Sequence, residues 1–426
     1  MIIHVVRPGE SLFTIGRLYG VPHTRIATDN ELATPEQLVV GQTLVILEGT
    51  RQHLVVLGQS LYIIARDYGV TVEQILNANP QITEPRLIFP GQIINIPPRT
   101  KKLGTIAVNG YSFPFIDRDV LAKTLPYLTY LSIFSYEVRE DGSLVDIDDV
   151  PLILGARQAN VAPIMVITNI DEEGAFSSDL ASAILNNADV QQVLIENIVK
   201  IIETKNYAGL DVDFEYIYPA ERENYNNFIR SVTERLRPLG YTISSALAPK
   251  TFAEQPGILY EAHDYPVQGA LLDHVILMTY EWGYTFGPPM AVAPLNQVRR
   301  VLDYAVTAIP RQKILMGIPN YGYDWTLPYV PRTAARVVGN VGAVEQAWQV
   351  GAQIQYDATS QAPFYNYYDS QGREHIVWFE DARSIAVKLR TVNEYNLGGV
   401  SYWTIGRFFP QNWLVLDALY NVEKVI

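Results

Sequence analysis

Cysteine is absent from all 426 residues, and histidine occurs only six times. Without cysteine there is no disulfide, thiol nucleophile, zinc ribbon or iron–sulfur centre to consider. The histidines, at positions 4, 23, 53, 263, 274 and 375, form no His-Glu-x-x-His or His-x-His cluster, so neither a metal site nor a cofactor is expected. No run approaches the ~20 apolar residues of a membrane span. No basic patch appears either, since 32 basic side chains face 45 acidic ones for a net charge of −13. Nucleic acid and anionic membrane surfaces are therefore poor partners, and no membrane insertion is expected. The start, Met1-Ile2-Ile3-His4-Val5-Val6-Arg7-Pro8-Gly9, has no cationic segment before an apolar core, so no signal peptide is evident. What is present is an ordinary globular composition, 48% apolar and 11% aromatic, long enough for several domains.

The first hundred residues repeat themselves. His4-Val5-Val6-Arg7-Pro8-Gly9-Glu10-Ser11-Leu12 is answered by His53-Leu54-Val55-Val56-Leu57-Gly58-Gln59-Ser60-Leu61. Ile15, Tyr19, Gly20, Val21 and Asn30 recur as Ile64, Tyr68, Gly69, Val70 and Asn79, and Gly41-Gln42 as Gly91-Gln92. A period near 50 marks a tandem module. Each copy reads as strand, two short helices, strand: Ser11 and Ser60 sit at N-caps, and Gly20 and Gly69 where a left-handed residue ends the helix. These residues resemble the LysM module. The resemblance implies binding of N-acetylglucosamine-containing polymers such as peptidoglycan or chitin, through Gly9, Ser11, Leu12 and Asn30 in one copy and Gly58, Ser60, Leu61, Asn79 and Pro80 in the other. The same Gly, Ser and Asn are also turn and cap residues. The modules are expected at 1–48 and 52–98, joined by a linker at 99–103 to a large domain at 104–426.

In the large domain, apolar runs of strand length alternate with helical patterns. The runs are 105–109, 130–135, 161–168, 209–214, 241–248, 274–279, 314–318 and 399–402. Eight of them, apolar on both faces and separated by crossover helices, predict an α/β fold: a parallel sheet closed into a (β/α)8 TIM barrel. The long gap after the seventh run, with its Asp369-Ser370-Gln371-Gly372 turn, predicts a small α+β insertion at about 323–397.

The chemistry concentrates on the fourth run, Gly209-Leu210-Asp211-Val212-Asp213-Phe214-Glu215. Alternate strand residues share a face, so Asp211, Asp213 and Glu215 point one way and the large apolar residues the other. Three acids on the inner face of a barrel strand repel one another and lose hydration, which holds a proton among them and suits Glu215 as a general acid. An inner polar network without function is the plainer alternative. The spacing is similar to the DxxDxDxE signature of family 18 glycoside hydrolases, with Ala208 at the first Asp. That resemblance implies substrate-assisted retaining cleavage, with Glu215 as acid/base, Asp213 orienting the substrate's acetamido group and Asp211 supporting Asp213. Leu277-Met278-Thr279-Tyr280-Glu281-Trp282 resembles the family's sixth-strand segment, implying catalytic Tyr280 and substrate contacts from Met278 and Glu281. Gly398-Gly399-Val400-Ser401-Tyr402-Trp403 resembles its eighth strand, implying Trp403 as the floor beneath a sugar. Asn320 and Tyr321, ending the seventh run, are rim candidates that packing explains equally well.

Taken together, the chain resembles the bacterial spore cortex-lytic N-acetylglucosaminidases. The resemblance implies a monomeric hydrolase of peptidoglycan glycan strands in the spore or cell wall, acting during germination. A chitinase and a non-catalytic wall-binding protein stay open as alternatives, as does a conventional two-carboxylate enzyme.

Overall fold

The computed structural model describes residues 1–47, 51–97 and 102–426. The chain forms two compact units, Met1–Leu103 and Gly104–Ile426. Residues 99–101 of the expected linker lie outside the described residues, as do Glu48 and Pro98 at the expected module ends.

Within the first unit the two repeats fold alike. In one, the strand Ile2–Val5 pairs antiparallel with Thr43–Ile46 around the helices Leu12–Tyr19 and His23–Asp29. In the other, Arg51–Leu54 pairs with Ile93–Ile96 around Leu61–Tyr68 and Val72–Asn77. Ser11 and Ser60 accept the backbone N–H of Thr14 and Ile63 at 3.3 Å. Gly20 and Gly69 end those helices with φ of 65° and 66°. The repeated polar residues have structural work. His4 bonds Tyr19 and Glu10, and His53 bonds Tyr68 and Gln59 in the same way. The buried Asn30 amide is spent on Ile26 O, Val45 O and Val45 N, and that of Asn79 on Ile75 O, Asn95 O and Asn95 N. Leu12 and Leu61 are core residues, whereas Gly9, Ser11, Gly58, Ser60 and Pro80 line exposed turns.

In the second unit, among the described residues, eight parallel strands close on themselves. We label them β1 (Gly104–Ser112), β2 (Tyr130–Glu137), β3 (Ala162–Thr168), β4 (Gly209–Asp213), β5 (Thr242–Leu247), β6 (His274–Leu277), β7 (Ile314–Pro319) and β8 (Gly399–Trp403). β8 pairs back onto β1, completing the (β/α)8 barrel, and a short strand Tyr420–Val422 adds to the start of β1. Two glycines permit closure: a Cβ on Gly209 would lie 2.2 Å from Thr242 O, and one on Gly399 1.8 Å from Ala107 O. The outward faces are apolar because helices cover them. Phe214, just past β4, stacks against both Tyr225 and Phe228 of the helix Arg222–Leu236.

The insertion after β7 is a five-stranded antiparallel sheet with one helix, Asn340–Gln349. Asp369 to Gly372 form the expected hairpin turn between Ala362–Tyr368 and Glu374–Trp378. Its strands start at Gly322 and finish at Trp378. The helix Ala382–Tyr395, which the sequence reading placed inside the insertion, is instead the β7–β8 crossover. A strand-to-strand gap cannot separate an inserted sheet from the crossover that follows it.

Candidate active site

A closed parallel barrel delivers all strand C-termini to one rim, where side chains far apart in sequence converge. There the structure opens a cleft of about 460 Å³. Asp213, Glu215, Met278, Tyr280, Glu281 and Trp403 all line it, so three separate sequence segments meet in one place.

The three acids form a graded series along β4 and the two residues just past it. Asp211 is deepest and fully buried; Tyr111 of β1 and Ser244 of β5 each donate a hydroxyl to it at 2.6 Å. Burial pushes its carboxyl up to about 6 against the pull of those two hydrogen bonds. These hydroxyls give Asp211 its partners in a barrel where position 208 is alanine, packed against the lower apolar core. Asp213 is buried too, but its Oδ1 has no hydrogen-bond partner among the described residues. Burial, and then the charges of Glu215 and Asp211, hold its carboxyl well above the ordinary range. Glu215 is less enclosed; burial and the nearby Glu281 push it up to about 7. A carboxyl group whose titration is lifted from the acid range toward neutrality is suited to giving a proton and taking one back.

Glu281 closes the far side. Tyr321 donates its hydroxyl to Oε1, and Tyr323 approaches the two oxygens at 3.0 and 3.2 Å. Tyr321 therefore acts on the cleft through Glu281 and does not line it. Asn320 is turned elsewhere: its amide donates to Thr404 O and Arg407 O, shaping the loop after β8. Packing accounts for it.

Trp403 lies edge-on to Tyr111, Phe113 and Phe134 at centroid separations of 5.4, 5.9 and 4.9 Å, which fixes its ring in the cleft lining. Flat aromatic faces stack on the C–H faces of pyranoses. The sequence reading missed several cleft residues, among them Phe176, Tyr216, Tyr260 and Tyr284. They sit on loops with no periodicity to betray them. Ser244 was more accessible, since it lies within the recognised run 241–248, whereas Tyr111 falls on the part of β1 beyond the recognised run 105–109.

Residues 156–407 match the family described as Glycosyl hydrolases family 18, and residues 4–47 and 53–97 each match the LysM domain. The chain is 45% identical to the cortical fragment-lytic enzyme of Bacillus subtilis (strain 168), across 100% of this chain and 99% of that protein. It is similar to the crystal structure of the Bacillus megaterium QM B1551 spore cortex-lytic enzyme SleL, with a TM-score of 0.86 and 40% identity, covering 100% of this chain and 99% of that one. A chitinase from Chromobacterium violaceum ATCC 12472 superimposes with a TM-score of 0.68 at 27% identity, over 74% of this chain and 98% of that one.

Proposed function

The chain belongs to glycosyl hydrolases family 18 and carries two LysM domains, and from that premise we propose that it is an N-acetylglucosaminidase that cuts peptidoglycan glycan strands, working on spore-cortex fragments during germination. Relatives matched along their full length and named for cortical fragments support the substrate. The observation that carries the mechanism is the buried, partnerless Asp213 Oδ1 beside Glu215. A buried acceptor without a donor costs stability, and the N–H of a 2-acetamido group is the donor that such a position suits.

In this mechanism the sugar lies on Trp403, with its acetamido group against Asp213 and Tyr280. Glu215 gives its proton to the glycosidic oxygen as the acetamido oxygen attacks the anomeric carbon and the C–O bond to the leaving sugar breaks. The oxazolinium ion so formed carries positive charge, which Asp213 offsets. Glu215, now ionised, takes a proton from water as that water opens the ring, and configuration is retained. Glu281 contacts a sugar hydroxyl. No second carboxylate acts as nucleophile.

Reducing N-acetylglucosamine ends are therefore expected from cortex muropeptides, and none from the same glycan after de-N-acetylation. Clear cleavage of the de-N-acetylated strand would mean that the acetamido group is not the nucleophile. The likeness to a chitinase makes chitin oligomers the comparison substrate; faster turnover of these than of muropeptides would move the assignment to that class.

The repeats are proposed to hold the enzyme on insoluble wall, since two tethered sites raise each other's effective concentration. Deleting residues 1–103 is expected to weaken retention on insoluble cortex by at least about 10-fold. Turnover of small soluble fragments should stay within twofold. Equal losses on both substrates would place the repeats in the catalytic unit's own work.

A further inference from the structure

We propose that Asn169 and His263 are positioning residues that fix the catalytic carboxyl by gripping its backbone, and that the sheet itself does not perform this task. The inference rests on the reading of Glu215 as the acid. β4 ends at Asp213, whose partner across the ladder is Thr168, the last residue of β3. On the β5 side the pairing stops earlier, at Val212 with Ser245. Glu215 thus stands beyond the ladder, and Tyr216 turns the chain away with φ of 55°. Such a segment has no sheet partners to define it.

Side chains take their place, one residue at a time. The Phe214 carbonyl accepts from His263 Nε2 at 3.0 Å. The Glu215 peptide is held at both ends by one amide, with its N–H donating to Asn169 Oδ1 at 2.9 Å and its carbonyl accepting from Asn169 Nδ2 at 2.8 Å. The Tyr216 carbonyl accepts from Ser178 Oγ. Three consecutive carbonyls beyond a strand end are each bound by a side chain.

The histidine is built for a fixed role. Its Nδ1 accepts the backbone N–H of Ala248 at 2.8 Å, so the proton is on Nε2, facing Phe214 O. Burial holds the ring down to about 4, neutral under working conditions. Ala248 follows the end of β5, so one imidazole ties the ends of β4 and β5 together. Asn169, just past β3, also donates to Ser177 O, which ties the grip to the β3 loop. Displacing a reacting group by about 1 Å can cost on the order of 100-fold in rate.

The experiment compares Asn169→Ala, His263→Leu and His263→Gln with the wild type in the full-length chain. One readout is kcat and KM on soluble cortex muropeptides; the other is amide hydrogen exchange at Glu215, with Val212 in the paired part of β4 as control. Asn169→Ala is expected to lower kcat about 30-fold with KM within twofold. It should also speed exchange at Glu215 at least 10-fold while leaving Val212 unchanged. Glutamine can accept from Ala248 and donate to Phe214, so His263→Gln should keep most of the kcat that His263→Leu loses. Should His263→Leu fail to fold, the asparagine variant decides. Unchanged exchange at Glu215, or unchanged kcat despite faster exchange, overturns the proposal. A wild type that turns over no muropeptide refutes the enzymatic reading instead, and the exchange result still judges the grip.

Discussion

Glutamine in place of Glu215 is expected to lower kcat by about 10³–10⁴-fold, the upper range of general acid–base catalysis, with KM little changed. The side chain keeps its shape but loses both the acidic proton it must give and the carboxylate that must take one back. Because the same group acts twice, first as acid and then as base, both halves of the reaction fail and no external nucleophile should restore turnover fully. The pH profile gives an independent check. Burial and Glu281 push the Glu215 carboxyl up to about 7, and the acid must be protonated to act. The wild-type kcat/KM should therefore fall as pH rises through about 7. That apparent value belongs to the coupled acids together, because Asp213 and Glu215 sense each other's charge. In Glu215→Gln the residual rate should lose this alkaline limb. A variant that keeps a tenth of the activity, or keeps the limb, would remove Glu215 from the acid's role.

The barrel was legible because burial imposes a simple pattern. Strands covered on both faces must be apolar, and eight such runs between helical stretches leave few topologies. The acids of β4 broke that pattern, which is why they stood out against Leu210, Val212 and Phe214. What escaped notice was polar residues that break no pattern. Asn169 and His263 look like loop residues in the sequence, and only the fold shows that they bond one strand end from two directions. Ser244 sits in an apolar run as a small residue, yet it satisfies a buried carboxylate. The repeats taught the reverse lesson. Their recurring His, Tyr and Asn were visible at once, but Asn30 and Asn79 recur because each pins a helix to a strand. Recurrence identifies the module without separating its ligand contacts from its internal fastenings.

Asparagine at position 213 is expected to give a more stable protein with about 10²–10³-fold lower kcat, the scale of a lost electrostatic contact to the transition state. Asparagine keeps an oxygen that can accept from an acetamido N–H, so ground-state binding and KM should hardly move. It lacks the negative charge that offsets the oxazolinium ion, so the loss falls on kcat. The stability gain follows from what the folded chain endures at this position. Asp213 Oδ1 is buried without a partner, next to two other acids. Asparagine keeps a buried acceptor there but removes the ionisable charge beside the other acids, and relief of that charge is worth on the order of 1–3 kcal/mol, or about 1.5–4.5 °C in unfolding midpoint for a domain of this size. The sign with pH is fixed by linkage: folding raises the Asp213 carboxyl above its ordinary value of 3.8, so the folded chain binds more protons than the unfolded one. Wild-type stability from this site is therefore greatest in acid and declines as pH climbs past about 4. The advantage of Asp213→Asn should accordingly be small near pH 4 and widen toward neutrality, which thermal unfolding of the two proteins across that range measures directly. A variant that is inactive but no more stable at neutral pH would mean that folding does not raise the Asp213 carboxyl, and that solvent reaches the wild-type group in the folded chain.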